Sequence, residues 1–256
     1  MKLWVLTENT AREEGFRPEH GLSLYLEVNG RKILFDAGQS DAFRDNAARL
    51  GVDLTAVDTA VLSHGHYDHG GGQPAFLEVN KTAPVYLSAL AFGAFHHGPE
   101  KYIGLPPSLR GNDRLRLTQG FVDLGDGLEL YPAQPGGTPS RGLHIREGDR
   151  LSPDTFLHEQ YLLIREGEKR ILLSGCSHRG IVSIAGAFRP DVLIGGFHLN
   201  GLDPRGPELA DVGNALAEIP ACYYTGHCTG QEQFAALKKV LGARLRSFST
   251  GAVLEI

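Results

Sequence analysis

Residues 61–72 read VLSHGHYDHGGG and place His64, His66, Asp68 and His69 within six positions of one another. Neutral imidazole suits zinc, iron or manganese, and a neighbouring carboxylate either ligates or takes a proton from water activated by the metal. At alternating positions, His64 and His66 can turn their rings the same way while Asp68 and His69 serve an adjacent position. One segment can thus supply two neighbouring metal sites. The alternative is a run of surface histidines in a loop, and four such residues at this spacing weigh against it. One or two transition-metal ions are expected, zinc first, with manganese or iron as alternatives. The three glycines that follow let the backbone approach closely and start a helix.

Other residues could join this chemistry. His178 follows a strand end in LLSGCSH and can reach the same pocket as a further metal ligand; His158, in FLHEQ, is its rival. Cys176 either offers a thiolate, which zinc accepts, or fills space beside the ligands, and the second role is the expected one. His198 emerges from the apolar strand DVLIGGF at the carboxyl edge of a sheet, where it suits substrate contact and catalysis; a satisfied structural histidine is the alternative. His20, His96, His97 and His144 show no paired spacing and are expected to face water or the entrance.

These residues need elements to position them. Residues 2–7, 22–28 and 31–36 read as strands, the last two joined by an Asn-Gly hairpin turn. Residues 40–51 change to helical period, with Phe43, Ala47 and Leu50 on one face. The strand DTAVLS delivers the chain to His64, and the helix QPAFLEV and strand APVYLS follow. In the second half LELYP, YLLIRE and KRILLSG read as strands, then RGIVSIAGAF as a helix. Strands DVLIGG and ACYYTG alternate with helices PELADVGNALAEI and QEQFAALKKVLG, and RLRSFS and AVLEI close the chain. Strands precede helices in both halves and no low-complexity linker divides them. One α/β domain over residues 1–256 is expected, with two sheets face to face and helices outside. Residues 133–158, rich in Gly, Pro and charge, read as a long loop over the site.

The H-x-H-x-D-H segment after a strand resembles that of the metallo-β-lactamase superfamily, and the resemblance runs along essentially the whole chain. It implies a four-layer αββα sandwich and a metal-dependent hydrolase. By resemblance, Asp36 in ILFDAG stands behind the ligands and orients the metal loop, and His227 in TGHCTG is the last metal histidine. LLSGCSH stands where a Gly-Asp normally supplies a bridging carboxylate, and here Gly175 is followed by Cys176. GCSHRGI, GGFHL, TGHCTG and HEQYLLI look more narrowly like the branch related to β-ribofuranosylaminobenzene 5'-phosphate synthase.

The expected ligands are therefore His64, His66, Asp68, His69, His178 and His227, with Asp68 also the catalytic carboxylate. The expected substrate is a small ester or phosphate-containing metabolite attacked by activated water. Two alternatives stand beside it. One is condensation of phosphoribosyl pyrophosphate with an aminobenzoate-type acceptor; the other is a non-catalytic metal or metabolite sensor, which the missing Gly-Asp makes conceivable.

A formal net charge of −5, with acidic and basic residues well mixed, gives no electrostatic footprint for nucleic acid or an anionic membrane. A small-molecule partner is expected, without nucleic acid or membrane; nothing indicates the oligomeric state. Three cysteines, an odd number, argue against a disulfide framework and for a cytoplasmic, reducing setting. The first residues carry no run long enough for a signal peptide, and nothing approaches the roughly 18 apolar residues of a spanning helix.

Overall fold

Two seven-stranded sheets face each other in a computed structural model that describes residues 1–133 and 139–256. The first sheet runs Val253–Glu255, Lys2–Thr7, Ser23–Val28, Arg31–Phe35, Thr59–Val61, Val85–Ser88, Leu115–Thr118. The second runs Leu245–Ser247, Cys222–Thr225, Val192–Ile194, Lys169–Leu173, Gln160–Glu166, Leu128–Pro132, Val122–Gly125. The Asn-Gly signal forms the expected hairpin: Asn29 (φ 51°) and Gly30 (φ 78°) both take left-handed conformations, and Val28 pairs with Arg31.

Period-two alternation splits each strand between two cores. In Gln160–Glu166, Leu162 and Ile164 join Leu24, Leu26, Ile171 and Leu173 between the sheets. Tyr161 and Leu163 point the other way, onto the helices Ile181–Phe188, Pro207–Ala217 and Gln231–Leu241 through Ile184, Leu209, Leu216 and Leu237. On the opposite outer face Phe43 and Ala47 of helix Ala42–Arg49 and Phe76 of helix Gln73–Val79 cover Leu34, Ala60 and Leu62. The result is the αββα sandwich, and these cores rather than surface charge hold it. Truncating a fully buried leucine such as Leu162 costs about 2–5 kcal/mol. An exposed pair such as Arg165–Glu129 contributes about 0–1 kcal/mol.

The strands Arg31–Phe35, Thr59–Val61 and Val85–Ser88 run parallel, as do Lys169–Leu173, Val192–Ile194 and Cys222–Thr225. Their carboxyl ends gather on one edge of the sandwich, where a doubly layered α/β fold places its chemistry.

Residues 133–158 depart from the expected loop. Leu143–Glu147 and Arg150–Pro153 form a hairpin that pairs with Phe95–His97, and with Lys101–Tyr102 they make a small four-stranded sheet at the rim of the site. These strands are short and only half buried, so they carry no clean apolar alternation. Residues 134–138 of the expected loop lie outside the described residues. Leu115–Thr118 and Val122–Gly125 were equally unmarked, because both are edge or near-edge strands with exposed polar faces. Among the described residues no helix is long and apolar enough to cross a membrane.

Candidate metal centre

Strand Thr59–Val61 ends four positions before Gly65, and the loop that follows is built around close backbone contacts. A Cβ on Gly65 would collide with the Ala91 carbonyl and the Phe95 ring, and one on Gly72 with the Ala37 carbonyl. Between these glycines His66 begins the single helical turn Tyr67–Gly70, which carries Asp68 and His69 round to the other side of the loop.

The rings of His64, His66 and His178 form a near-equilateral cluster, with centroids 4.6, 4.9 and 4.9 Å apart. Ser63 Oγ donates to Asp36 Oδ2 at 2.7 Å and so accepts from His64 Nδ1 at 2.8 Å. Ser140 Oγ donates to the His178 carbonyl and accepts from His178 Nδ1 at 3.2 Å. These tautomers leave Nε2 of His64 and His178 bare, and with His66 Nε2 they are buried without a hydrogen-bond partner. A buried polar atom left unsatisfied costs about 1–3 kcal/mol, so three converging on one place call for a common ligand. Burial, reinforced by the neighbouring histidines, pushes the His66 pKa down to about 3. It holds His64 and His178 well below the usual histidine range. All three are held in the neutral, metal-ligating form.

A second donor set lies beside the first. His69 Nδ1 donates to Asp36 Oδ2 at 2.6 Å and His227 Nδ1 to Asn9 Oδ1 at 2.9 Å. Their Nε2 atoms therefore face each other at 3.2 Å, with Asp68 Oδ2 3.4 Å from that of His227 and 3.9 Å from that of His69. Two lone pairs this close repel unless a cation lies between them. Nitrogens bound tetrahedrally to zinc at about 2.0–2.1 Å stand roughly 3.3 Å apart, which matches. In the metal-free chain a proton serves: burial opposes it, but the Asp36 and Asp68 carboxylates push the His69 pKa up to about 9. Burial likewise works against the Asp68 anion, yet His69, His20 and His227 around it hold its carboxyl well below the usual range.

Cys176 occupies a different place from the expected one. Its Sγ stands 3.1 Å from His69 Nε2. It also groups within 4.8 Å with His64 and His178 on one side and with His69 and His227 on the other. The turn after Lys169–Leu173 brings this about: Gly175 sits tight against Ser63, and Ser177, at φ 58°, reverses the chain. The thiol thus lies between the two donor sets rather than behind them.

Donor types, spacing and fold converge on one family. A family model described as Metallo-beta-lactamase superfamily matches residues 16–151. The chain belongs to the metallo-beta-lactamase superfamily. It is 31% identical, over 90% of its length and 88% of the relative's, to a protein of Methanocaldococcus jannaschii named 7,8-dihydropterin-6-methyl-4-(beta-D-ribofuranosyl)-aminobenzene-5'-phosphate synthase. The crystal structure of Tm1679, a metal-dependent hydrolase of the beta-lactamase superfamily, superposes with a TM-score of 0.85 at 29% identity, covering 100% of this chain and 99% of that one. The Zn(2+)-bound PqqB of Methylobacterium extorquens shares the fold, with a TM-score of 0.58 at 12% identity and full coverage of both chains.

Against this superfamily background the remaining histidines sort by their partners. His158, the rival of His178, accepts the Gly65 N–H at Nδ1 (3.0 Å) and donates from Nε2 to Asp154 (3.1 Å) while stacking on Phe95. Neither nitrogen is free to ligate; the ring instead props the loop between His64 and His66. His198 stands with its ring 4.3 Å from that of His178, its Nδ1 unpartnered, on the wall of a cavity of about 820 Å³. His20 reaches Asp68 at 3.3 Å although its side chain is half exposed. His97 faces the cavity from the rim, whereas His96, expected at the surface, is buried in the small sheet opposite His144.

Three positioning groups of this metallo-beta-lactamase fold were not singled out from the sequence. Glu8 Oε1 accepts the His227 N–H at 2.7 Å, Glu159 Oε1 accepts the His178 N–H at 2.7 Å, and Asn9 fixes the His227 tautomer. Glu8 and Glu159 are buried. The available signal was a carboxylate set directly against a strand, in TEN after residues 2–7 and in HEQ before YLLIRE. Strain gathers here too: Asp36, Phe156, Ser177, His198 and His227 all hold positive φ without being glycine.

Proposed function

We propose that this chain is a metal-dependent hydrolase of small ester or phosphate-containing metabolites, with zinc as the preferred ion. The observation that carries the proposal is the convergence of three bare, buried Nε2 atoms, of His64, His66 and His178, beside the Asp68–His69–His227 set, at a cavity that His66, Asp68 and His178 line. When bound, zinc supplies Lewis acidity and brings the pKa of water toward about 7. Asp68, kept ionised and open toward the cavity, orients the attacking water and accepts its proton. His198 contacts the substrate from beside His178, and Lys101 with His97 at the rim supplies cationic and hydrogen-bonding groups for an anionic end. Three free cysteines support a cytoplasmic setting.

Screening phosphodiesters, phosphomonoesters and lactones in solvent enriched in heavy oxygen tests this. A hydrolase transfers the label to product. The relative named as a synthase favours a second reading, condensation of phosphoribosyl pyrophosphate with an aminobenzoate-type acceptor. That reaction releases pyrophosphate and leaves the product unlabelled.

A further inference from the structure

Beside the donor sets lies a second juxtaposition, a pair of thiols, that shares Cys176 with them. Cys176 and Cys228 are both free and both buried, at 2% and 3% exposure. Their Sγ atoms and a ring nitrogen of His198 all lie within 4.8 Å of one another. Cys228 Sγ also stands 3.7 Å from the Cys176 carbonyl. The two turns meet because residue 196, just past the strand Val192–Ile194, is glycine. A Cβ there would collide with Cys228 Sγ and stand 3.6 Å from Cys176 Cα. Both thiols line the cavity, so a small oxidant that enters it meets them. The third cysteine, Cys222, packs toward the core between the sheets.

We propose that Cys176 and Cys228 form a reversible disulfide inside the cavity when the donor sets are free of metal and a hydroperoxide enters. Closing the sulfurs to the roughly 2.05 Å of a disulfide calls for side-chain rotation of two residues whose sulfurs already lie within 4.8 Å of each other. One sulfur attacks the peroxide O–O bond, forming an S–O bond and releasing an alcohol, or water from hydrogen peroxide. The second sulfur displaces that oxygen as water and forms the S–S bond. The two sulfurs lose two electrons, the peroxide gains them, and both thiol protons leave in the released alcohol and water. Because Cys176 is the thiol common to both donor sets, its capture withdraws a donor from each.

The proposal does not rest on the hydrolytic reading, since its readout is covalent. The full chain, stripped of metal by chelation, is treated with hydrogen peroxide near stoichiometry, quenched in acid, alkylated, digested and weighed by mass spectrometry. The expected result is a peptide pair joined through Cys176 and Cys228, Cys222 alkylated, and recovery of both thiols with dithiothreitol. The oxidised protein should also take up at least one equivalent less zinc than the reduced protein. In Cys228→Ser, Cys176 should instead run on to sulfinic or sulfonic acid that dithiothreitol does not reverse. A cross-link through Cys222, over-oxidised Cys176 without a cross-link in the parent, both thiols still alkylatable, or unchanged zinc uptake would each overturn it. The parent's peptide map decides the matter even where the serine variant fails to fold.

Discussion

Asp36 Oδ2 lies 2.6 Å from His69 Nδ1, while Oδ1 of the same carboxylate accepts the Ser63 N–H at 2.7 Å. One fully buried side chain therefore sets the tautomer of His69 and, through Ser63 Oγ, that of His64. It does so from a left-handed backbone, φ 59°, that asparagine tolerates better than alanine.

Asp36→Ala should weaken metal affinity by about 10–100-fold, the usual effect of removing a group that orients ligands. Asp36→Asn keeps the backbone but loses the charge, and should lower affinity with little change in melting temperature. Competition against a chromophoric chelator, beside a thermal melt, measures both. Unchanged affinity in the two variants would mean that the Asp36 contact is structural only.

Asp68→Asn should leave the fold intact and cut any hydrolysis by at least about 100-fold, because general-base help alone contributes about 10²–10⁴. Metal content should fall at the Asp68–His69–His227 set and hold at the three-histidine set. Steady-state rates and elemental analysis of the same preparation test it; full activity would remove Asp68 from the chemistry.

His178→Ala should lower occupancy of the three-histidine set. A space-filling Cys176 would make Cys176→Ser nearly silent, whereas a thiolate ligand would make it lose metal. With Sγ between the sets, Cys176→Ser should reduce metal content, since serine is a poor zinc ligand. Parent-like metal content in Cys176→Ser would return Cys176 to a space-filling role.

The pH dependence of the metal-free protein has a defined shape. His66, His64 and His178 have lowered pKa values when folded, so below about 6.5 the unfolded chain takes up protons that the native state refuses. Stability then falls as pH drops from 6.5 toward 3. His69 works in the opposite sense. Its folded pKa of about 9 contributes stability that is complete below 6.5 and lost as pH rises through 9. Thermal melts of chelated protein from mildly acid to alkaline pH should therefore peak near pH 6.5. A monotonic rise to pH 9 would contradict the His69–Asp36 pairing.

Much of this was legible in the sequence where a pattern repeats or a turn demands a residue type. The H-x-H-x-D-H run, the Asn29-Gly30 hairpin and the continuous apolar run in Gln160–Glu166 each carry a local signal. The rim sheet around Leu143–Glu147 was not legible, because its half-buried strands draw stability from pairing with Phe95–His97 rather than from their own apolar pattern. Neither was the place of Cys176 between two donor sets, nor the grip of Glu8 on the His227 loop. Both depend on contacts between residues more than one hundred positions apart, which no local period encodes.

The donors come from opposite sheets: His64, His66, Asp68 and His69 follow the first, Cys176, His178 and His227 the second. A bound ion there is a clasp across the seam of two half-sandwiches. The full donor sets assemble only when both have formed and docked, so metal uptake at them would report that docking. Chelation should accordingly raise hydrogen exchange first along that seam, at Ser63, Cys176 and His227, while the strands between the sheets stay protected.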